Sequence, residues 1–405
     1  MAVGPGTLPT LHPVAGFRIG TTSAGVKKPG RKDLVLMEIA EGASTAGVFT
    51  LNQFCAAPVR ICKTHLQQGM PSYLVINTGN ANAGTGKQGH QDALDVCQAV
   101  ADRAGVAIQQ VLPFSTGVIG EKLPTDRIIS AVPAAFDALS GDGWLEAASG
   151  IMTTDTRPKA YSMQLEHQGQ VITLTGISKG AGMIKPNMAT MLAYIATDAK
   201  VKPALLQSLL SRAADQSFNR ITIDGDTSTN DSCMLVATGA SGVEVTEDNS
   251  ELLAQFGAAV DKVLLELAQA IIRDGEGATK FVTISVEQAA SSEEALKTAY
   301  AVAHSPLVKT ALFASDPNWG RILAAVGYAG IENLDVDTLQ IWLGEACIVE
   351  NGGRAASYTE VAGQAVMNRE EITIRIILNR GDKQETVWTT DLSKEYVAIN
   401  ADYRS

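Results

Sequence analysis

The sequence is poor in the residues from which disulfide and metal frameworks are built. Five cysteines (Cys55, Cys62, Cys97, Cys233 and Cys347) are scattered over 405 residues without a C-x-x-C pair. Neither a zinc ribbon nor a disulfide scaffold is encoded, and reduced thiols are expected. The five histidines (His12, His65, His90, His167 and His304) are equally dispersed, with no H-x-x-x-H or H-E-x-x-H, so no metal site is expected. No run of 18 apolar residues occurs: the longest candidate, 252–272, is interrupted by Asp261, Lys262 and Glu266. Positive charge is also scarce, with 32 Lys and Arg against 43 Asp and Glu for a net charge of −11. That balance argues against nucleic acid or an anionic membrane as a partner held by a bulk positive field. The opening residues MAVGPG lack the basic and apolar regions of a secretory signal, so a cytoplasmic protein is expected.

What is present is an ordinary globular balance, 45% hydrophobic and 19% charged, in a chain long enough for two or three domains. Composition marks no boundary between them. Apolar periodicity predicts strands over 73–76, 111–114, 161–165, 171–175, 281–286 and 372–376, with 385–390 as a partner for the last. Helices are predicted over 91–103, over 203–219 behind a first-turn Pro203, and over 249–272 with Asn249 as N-cap. The pattern supports a mixed α/β fold with helix-covered sheets.

Short motifs give little on their own. Gly84 to Lys87 resembles part of a phosphate loop, but Ala81 replaces the leading glycine and Gln88 the magnesium-binding hydroxyl. No G-x-S-x-G elbow accompanies a serine triad. Residues 224–231 (DGDTSTND) are acidic yet lack the closing glutamate of a calcium loop and read as a turn. Residues 315–321 (SDPNWGR) read as a turn into a helix, with Trp319 in the core. The segment 179–199, KGAGMIKPNMATMLAYIATDA, places two lysines, a Gly-Ala-Gly run and Pro186 ahead of a buried strand, with Thr190 at its start. Taken alone it is compatible with a plain β-turn entering a core strand.

With its companions that segment resembles the self-cleavage signature of the ornithine acetyltransferase family, the glutamate N-acetyltransferases of arginine biosynthesis. The companions are residues 77–84 (NTGNANAG), 115–117 (STG), 152–156 (MTTDT), 224–231, 273–279 (RDGEGAT), 315–321 and 400–405 (NADYRS), in order along essentially the whole chain.

The resemblance implies a precursor that cuts itself between Ala189 and Thr190 into an α chain, 1–189, and a β chain, 190–405. It implies a two-lobed mixed α/β fold of the self-processing threonine-nucleophile type, and an α2β2 heterotetramer. Thr190 would then carry acetyl from N2-acetyl-L-ornithine to L-glutamate in two half-reactions, with its freed α-amine as base. Thr116 and Gly117, in a loop after strand 111–114, are implied as the oxyanion hole. Thr153, Lys179, Thr190, Glu276, Asn400 and Ser405 are implied as substrate-binding residues. The chemistry suggests Lys179 for a substrate carboxylate and Glu276 for an ammonium group. No cofactor is implied; acetyl-CoA stands open as a second acetyl donor.

Two other readings compete. A threonine-nucleophile amidohydrolase or aminopeptidase would use the same nucleophile with water as acceptor. A non-enzymatic amino-acid-binding protein would keep Thr190 as a mere strand residue in an uncut chain.

Overall fold

The computed structural model describes residues 2–27, 30–185 and 191–401. The chain divides into two units, a larger one of residues 7–219 and 226–271 and a smaller one of residues 1–6, 220–225 and 272–405. The two boundaries enclosing 220–225 are invisible to composition because that excursion is only a few residues long.

In the larger unit the strands are β1 (Phe17–Thr22), β2 (Leu34–Ile39), β3 (Ser44–Phe49), β4 (Tyr73–Asn80), β5 (Val111–Val118), β6 (Lys159–His167), β7 (Gln170–Lys179), β8 (Leu192–Thr197), β9 (Lys200–Val201), β10 (Ser232–Ala237) and β11 (Glu244–Val245). The helices are α1 (Ala57–Gln68), α2 (Gly86–Ala104), α3 (Thr125–Asp137), α4 (Trp144–Gly150), α5 (Pro203–Gln216) and α6 (Ser250–Arg273). One sheet runs β1-β2-β4-β5 and a second runs β3-β10-β8-β7-β6, while β9 and β11 pair separately.

Side chains alternate between the two faces of a strand, and here both faces are buried, so the strands read as continuous apolar runs. Val35, Met37, Leu74, Ile76, Leu112 and Phe114 enter a core with Leu192, Tyr194, Ala196, Met234 and Val236 of the second sheet. The edge-to-face pair Phe114 and Tyr194, 5.2 Å between ring centres, spans that interface. The intervening residues Leu34, Leu36, Tyr73, Val75 and Val111 pack instead with Val96, Cys97 and Val100 of α2 and with Ile128 and Val132 of α3. On the far side of the second sheet, α5 covers β3 and β10. Ser178 Oγ there donates to the Leu267 carbonyl of α6 at 3.3 Å. The result is four layers: helix, sheet, sheet, helix.

In the smaller unit, β12 (Phe281–Ala289), β13 (Gln340–Leu343), β14 (Ala346–Glu350), β15 (Gly353–Arg354), β16 (Glu371–Ile377) and β17 (Lys383–Thr390) form one sheet ordered β15-β14-β13-β16-β12-β17. Helices α7 (Ser292–His304), α8 (Pro306–Phe313), α9 (Trp319–Gly327), α10 (Glu360–Met367) and α11 (Lys394–Ala401) accompany it. Val282, Ile284, Val286, Ile372, Ile374 and Ile376 build the core with α7, α8 and α9. The opposite face carries Arg375, whose Nε donates to Glu287 Oε1 at 2.8 Å. No helix of the described residues is long and apolar enough to cross a membrane.

Several predicted elements take a different form. Strand 385–390 does not pair with 372–376; β12 lies between them, parallel to β16 and antiparallel to β17. Strands β4 and β5 outrun their apolar residues, and α2 begins five residues early. Thr116 and Gly117 therefore sit within β5, not in a loop after it. Polar cross-strand bonds explain the extension: Ser115 Oγ donates to Asn77 Oδ1 at 2.6 Å, which hydrophobic patterning cannot register. Trp319 is half-buried against the core, not within it.

Candidate functional site

Thr116 and Gly117 are placed by the parallel pairing of β5 on β4, where Thr116 faces Thr78 and Gly117 faces Gly79 across an irregular register. Gly117 has φ +133°, and a Cβ there would lie 2.3 Å from the Gly79 carbonyl carbon. Both the backbone region and the close strand approach require glycine. Thr78 Oγ1 donates to the Gly150 carbonyl at 2.7 Å, tying the strand end to α4.

Lys179 ends β7, opposite Leu192 of β8. It is a buried lysine, not a solvated turn residue. Its Nζ donates to Thr153 Oγ1 at 2.8 Å and to Thr116 Oγ1 at 3.2 Å, so three of the sequence-predicted residues converge. An ammonium group has donors only. Each threonine hydroxyl must therefore accept from Lys179, which leaves its own proton to be donated elsewhere.

Asp155 organises this cluster and was missed from sequence, although the block MTTDT contains it. Its side chain is fully buried and paired with the equally buried Lys159 Nζ at 2.6 Å. It also accepts from the backbone N–H of Gly180 at 2.8 Å and of Thr153 at 2.9 Å. Burial alone would push the Asp155 carboxyl up. The charges of Lys159 and Lys179, with the hydrogen bonds from Lys159 and Gly180, outweigh it and hold the group well below the usual carboxylate range. A fixed anion thus balances two buried cations and seats the residues on either side of the Lys179 tip.

Ala189, Thr190 and Ser405 lie outside the described residues. Met191, bonded to Thr190 in sequence, donates its N–H to Asp231 Oδ1 at 2.8 Å, and its carbonyl accepts from Ser232 N–H at 3.1 Å.

The remaining predicted residues belong to the smaller unit. Asn400 Nδ2 donates to Glu276 Oε2 at 2.7 Å and to the Tyr396 carbonyl at 2.9 Å. Glu276 is buried and Asn400 exposed. The loop carrying Glu276 fits closely under α11, since a Cβ on Gly277 would meet Ser393 Oγ at 2.5 Å. Tyr396 Oη donates to Asp224 Oδ2 at 3.1 Å, and Ser393 Oγ accepts from Tyr396 N–H at 3.2 Å. The end of the chain is thus anchored as far as Asn400.

Burial pushes the thiols of Cys62, Cys97 and Cys233 up, which makes them poor nucleophiles. Among the described residues, no group of three or more His, Cys, Asp or Glu is arranged to hold a metal ion.

Comparison with known proteins agrees with the motif reading. The ArgJ family model matches residues 18–405. The arginine biosynthesis bifunctional protein ArgJ of Pseudomonas fluorescens (strain Pf0-1) is 61% identical over 406 residues, covering 100% of both chains. The protein of the same name from Pseudomonas syringae pv. tomato (strain ATCC BAA-871 / DC3000) is 61% identical over 406 residues, again covering 100% of both. A crystal structure of arginine biosynthesis bifunctional protein argJ from Bacillus halodurans is 36% identical, spans 51% of this chain and 97% of that one, and has a TM-score of 0.49. The family match over 18–405 and the two relatives aligned from end to end set aside the non-enzymatic reading. The chain is an enzyme and belongs to the ArgJ family.

Proposed function

We propose that this enzyme serves arginine biosynthesis as an acetyltransferase that cuts itself before Thr190 and then moves acetyl from N2-acetyl-L-ornithine to L-glutamate. In the first stage the Thr190 hydroxyl attacks the Ala189 carbonyl, the acyl group passes from nitrogen to oxygen, and water hydrolyses the ester. A carboxylate remains on Ala189 and a free α-amine on Thr190. That amine, ordinarily with a pKa of about 7.7–8.0, takes the proton from its own hydroxyl in the second stage. The hydroxyl attacks the acetyl carbonyl, ornithine leaves with the proton, and glutamate accepts the acetyl group from the acetyl-enzyme.

The observation that carries this reading is the grip of Lys179 on Thr116 and Thr153. A hydroxyl whose lone pair is occupied by an ammonium is polarised as a donor, which suits Thr116 to stabilising a tetrahedral oxyanion. Donors of this kind are worth roughly 3–4 kcal/mol each in other enzymes. The carboxylate role expected for Lys179 is thereby joined by an orienting role. Gly117 is proposed as the second oxyanion element, and Thr153, Glu276, Asn400 and Ser405 as further substrate contacts. The buried carboxylate of Glu276 suits a substrate ammonium. The chemistry needs no cofactor. The word bifunctional in the relatives' names supports a second donor, for which acetyl-CoA is proposed. Assembly as α2β2 and a cytoplasmic setting complete the proposal.

Intact-mass analysis tests the first stage. Wild-type protein should give fragments 1–189 and 190–405, whereas Thr190→Ala should remain whole. Labelled acetylornithine tests the second: label must appear in acetylglutamate when glutamate is present. Release as free acetate regardless of glutamate would favour the hydrolase alternative.

A further inference from the structure

The segment read from sequence as an acidic turn has a more specific arrangement at its end. Asn230 is buried, and its Nδ2 donates to the Ala81 carbonyl at 2.6 Å and to the Ser115 carbonyl at 2.9 Å. Its Oδ1 accepts from Thr229 Oγ1 at 2.6 Å, which fixes the amide orientation. The next residue, Asp231, takes the Met191 N–H on Oδ1. The backbone around this pair is held on both sides, because the Thr229 carbonyl accepts from Ala56 N–H at 2.8 Å and the Asp231 carbonyl from Thr50 N–H at 3.0 Å.

Two of the three groups gripped here, the Ser115 carbonyl and the Met191 N–H, are not arbitrary. The Ser115 carbonyl belongs to the planar peptide that also contains the Thr116 N–H, so holding one end of that plane sets the other. The Met191 N–H is the amide that Thr190 acylates. We propose that Asn230 and Asp231 are positioning residues that reference the oxyanion strand and the nucleophile to a single rigid dipeptide. Neither needs to touch substrate. Asn230 sets the entry to Thr116 and Gly117, and Asp231 sets the start of β8. This inference rests on the proposed use of Thr190 and Thr116, and it adds what ties their chain neighbours Met191 and Ser115 to one dipeptide.

The test compares self-cleavage and steady-state kinetics in the full chain. Asn230→Asp keeps size but places an acceptor against two carbonyls. Asp231→Ala removes the Met191 acceptor, and Asp231→Asn retains one. Misplacing reacting groups by about 1 Å can cost roughly 100-fold, so Asn230→Asp and Asp231→Ala should each slow cleavage and lower kcat at least tenfold. KM should stay within about threefold, and Asp231→Asn should recover most of the loss. Thr175→Val, which removes hydrogen bonds to the His12 carbonyl and the Ser162 hydroxyl elsewhere in the same unit, is the control for stability alone. A loss of activity that merely follows melting temperature, as in that control, would overturn the positioning role. So would wild-type rates in Asn230→Asp. A wild-type chain that stays whole overturns the proposed function and this inference together. A wild type that cuts while Asn230→Asp cuts equally fast overturns the positioning role alone.

Discussion

Asp155 and Lys159 form an ion pair with no exposed side-chain surface, Lys159 opening β6 and Asp155 lying in the loop before it. Removing one partner of such a pair strands the other charge, at a cost of about 3–5 kcal/mol. Asp155→Asn should therefore lower the melting temperature of the chain substantially at pH 7. The pH dependence has a defined sign. The folded carboxyl titrates well below its unfolded value of about 3.9, so its contribution is present above that value and is lost as pH falls through the folded pKa. The gap between wild type and Asp155→Asn should be full at pH 6–7 and shrink steadily below about pH 4. Melting curves from pH 7 to pH 3 measure it, and a gap constant across that range would contradict the assignment.

Lys179→Met separates two roles by kinetics. Loss of hydroxyl orientation at Thr116 should lower kcat by roughly 100-fold or more. Loss of a carboxylate contact should raise KM for acetylornithine and glutamate with little change in kcat. A variant with wild-type KM rules out carboxylate binding, and one with wild-type kcat rules out orientation.

Gly117→Ala should be disproportionately harmful for the addition of one methyl group. The backbone conformation alone costs an L-residue about 1–3 kcal/mol, and the added carbon would overlap the Gly79 peptide. Chemical denaturation combined with turnover should reveal both a lower midpoint and lost acetyl transfer.

At the other end of the chain, deleting residues 401–405 should remove activity while leaving stability unchanged within about 0.5 kcal/mol. The bonds from Tyr396 to Asp224 and from Ser393 to Tyr396 survive the deletion and keep α11 seated. Asn400→Ala should raise KM by freeing Glu276 from its partner. Equal losses of activity and stability on deletion would count against a site role for the tail.

Apolar patterning located strands such as Tyr73 to Ile76 and Ile372 to Ile376 and the helices behind Pro203 and Asn249, because such runs can be satisfied in few other ways; it did not pick out β1, β2, β3 or β10. It failed where polar groups do the holding. Thr116 and Gly117 lie in a strand because Ser115 bonds to Asn77, and no hydrophobic period records that. The order of β16, β12 and β17 escaped for a different reason: strand adjacency is set by long-range packing, not by proximity along the chain. Asp155 was hidden in plain view. Carboxylates are rarely buried, so its pairing with Lys159 becomes apparent only once β6 is formed. The resemblance named Thr153 and Lys179, but the direction of proton donation between them and Thr116 required coordinates.

The strand order of the larger unit has a consequence for the proposed cut before Thr190. β3 and β7 come from the chain before residue 190, while β8 and β10 come from the chain after it, and in the order β3-β10-β8-β7 the two later strands lie side by side in the middle. Two strands of the downstream piece are clasped between two strands of the upstream piece, stitched along both margins by backbone hydrogen bonds. Scission of one peptide before Thr190 would therefore leave both pieces held, because one is gripped in the middle of a sheet whose flanking strands belong to the other.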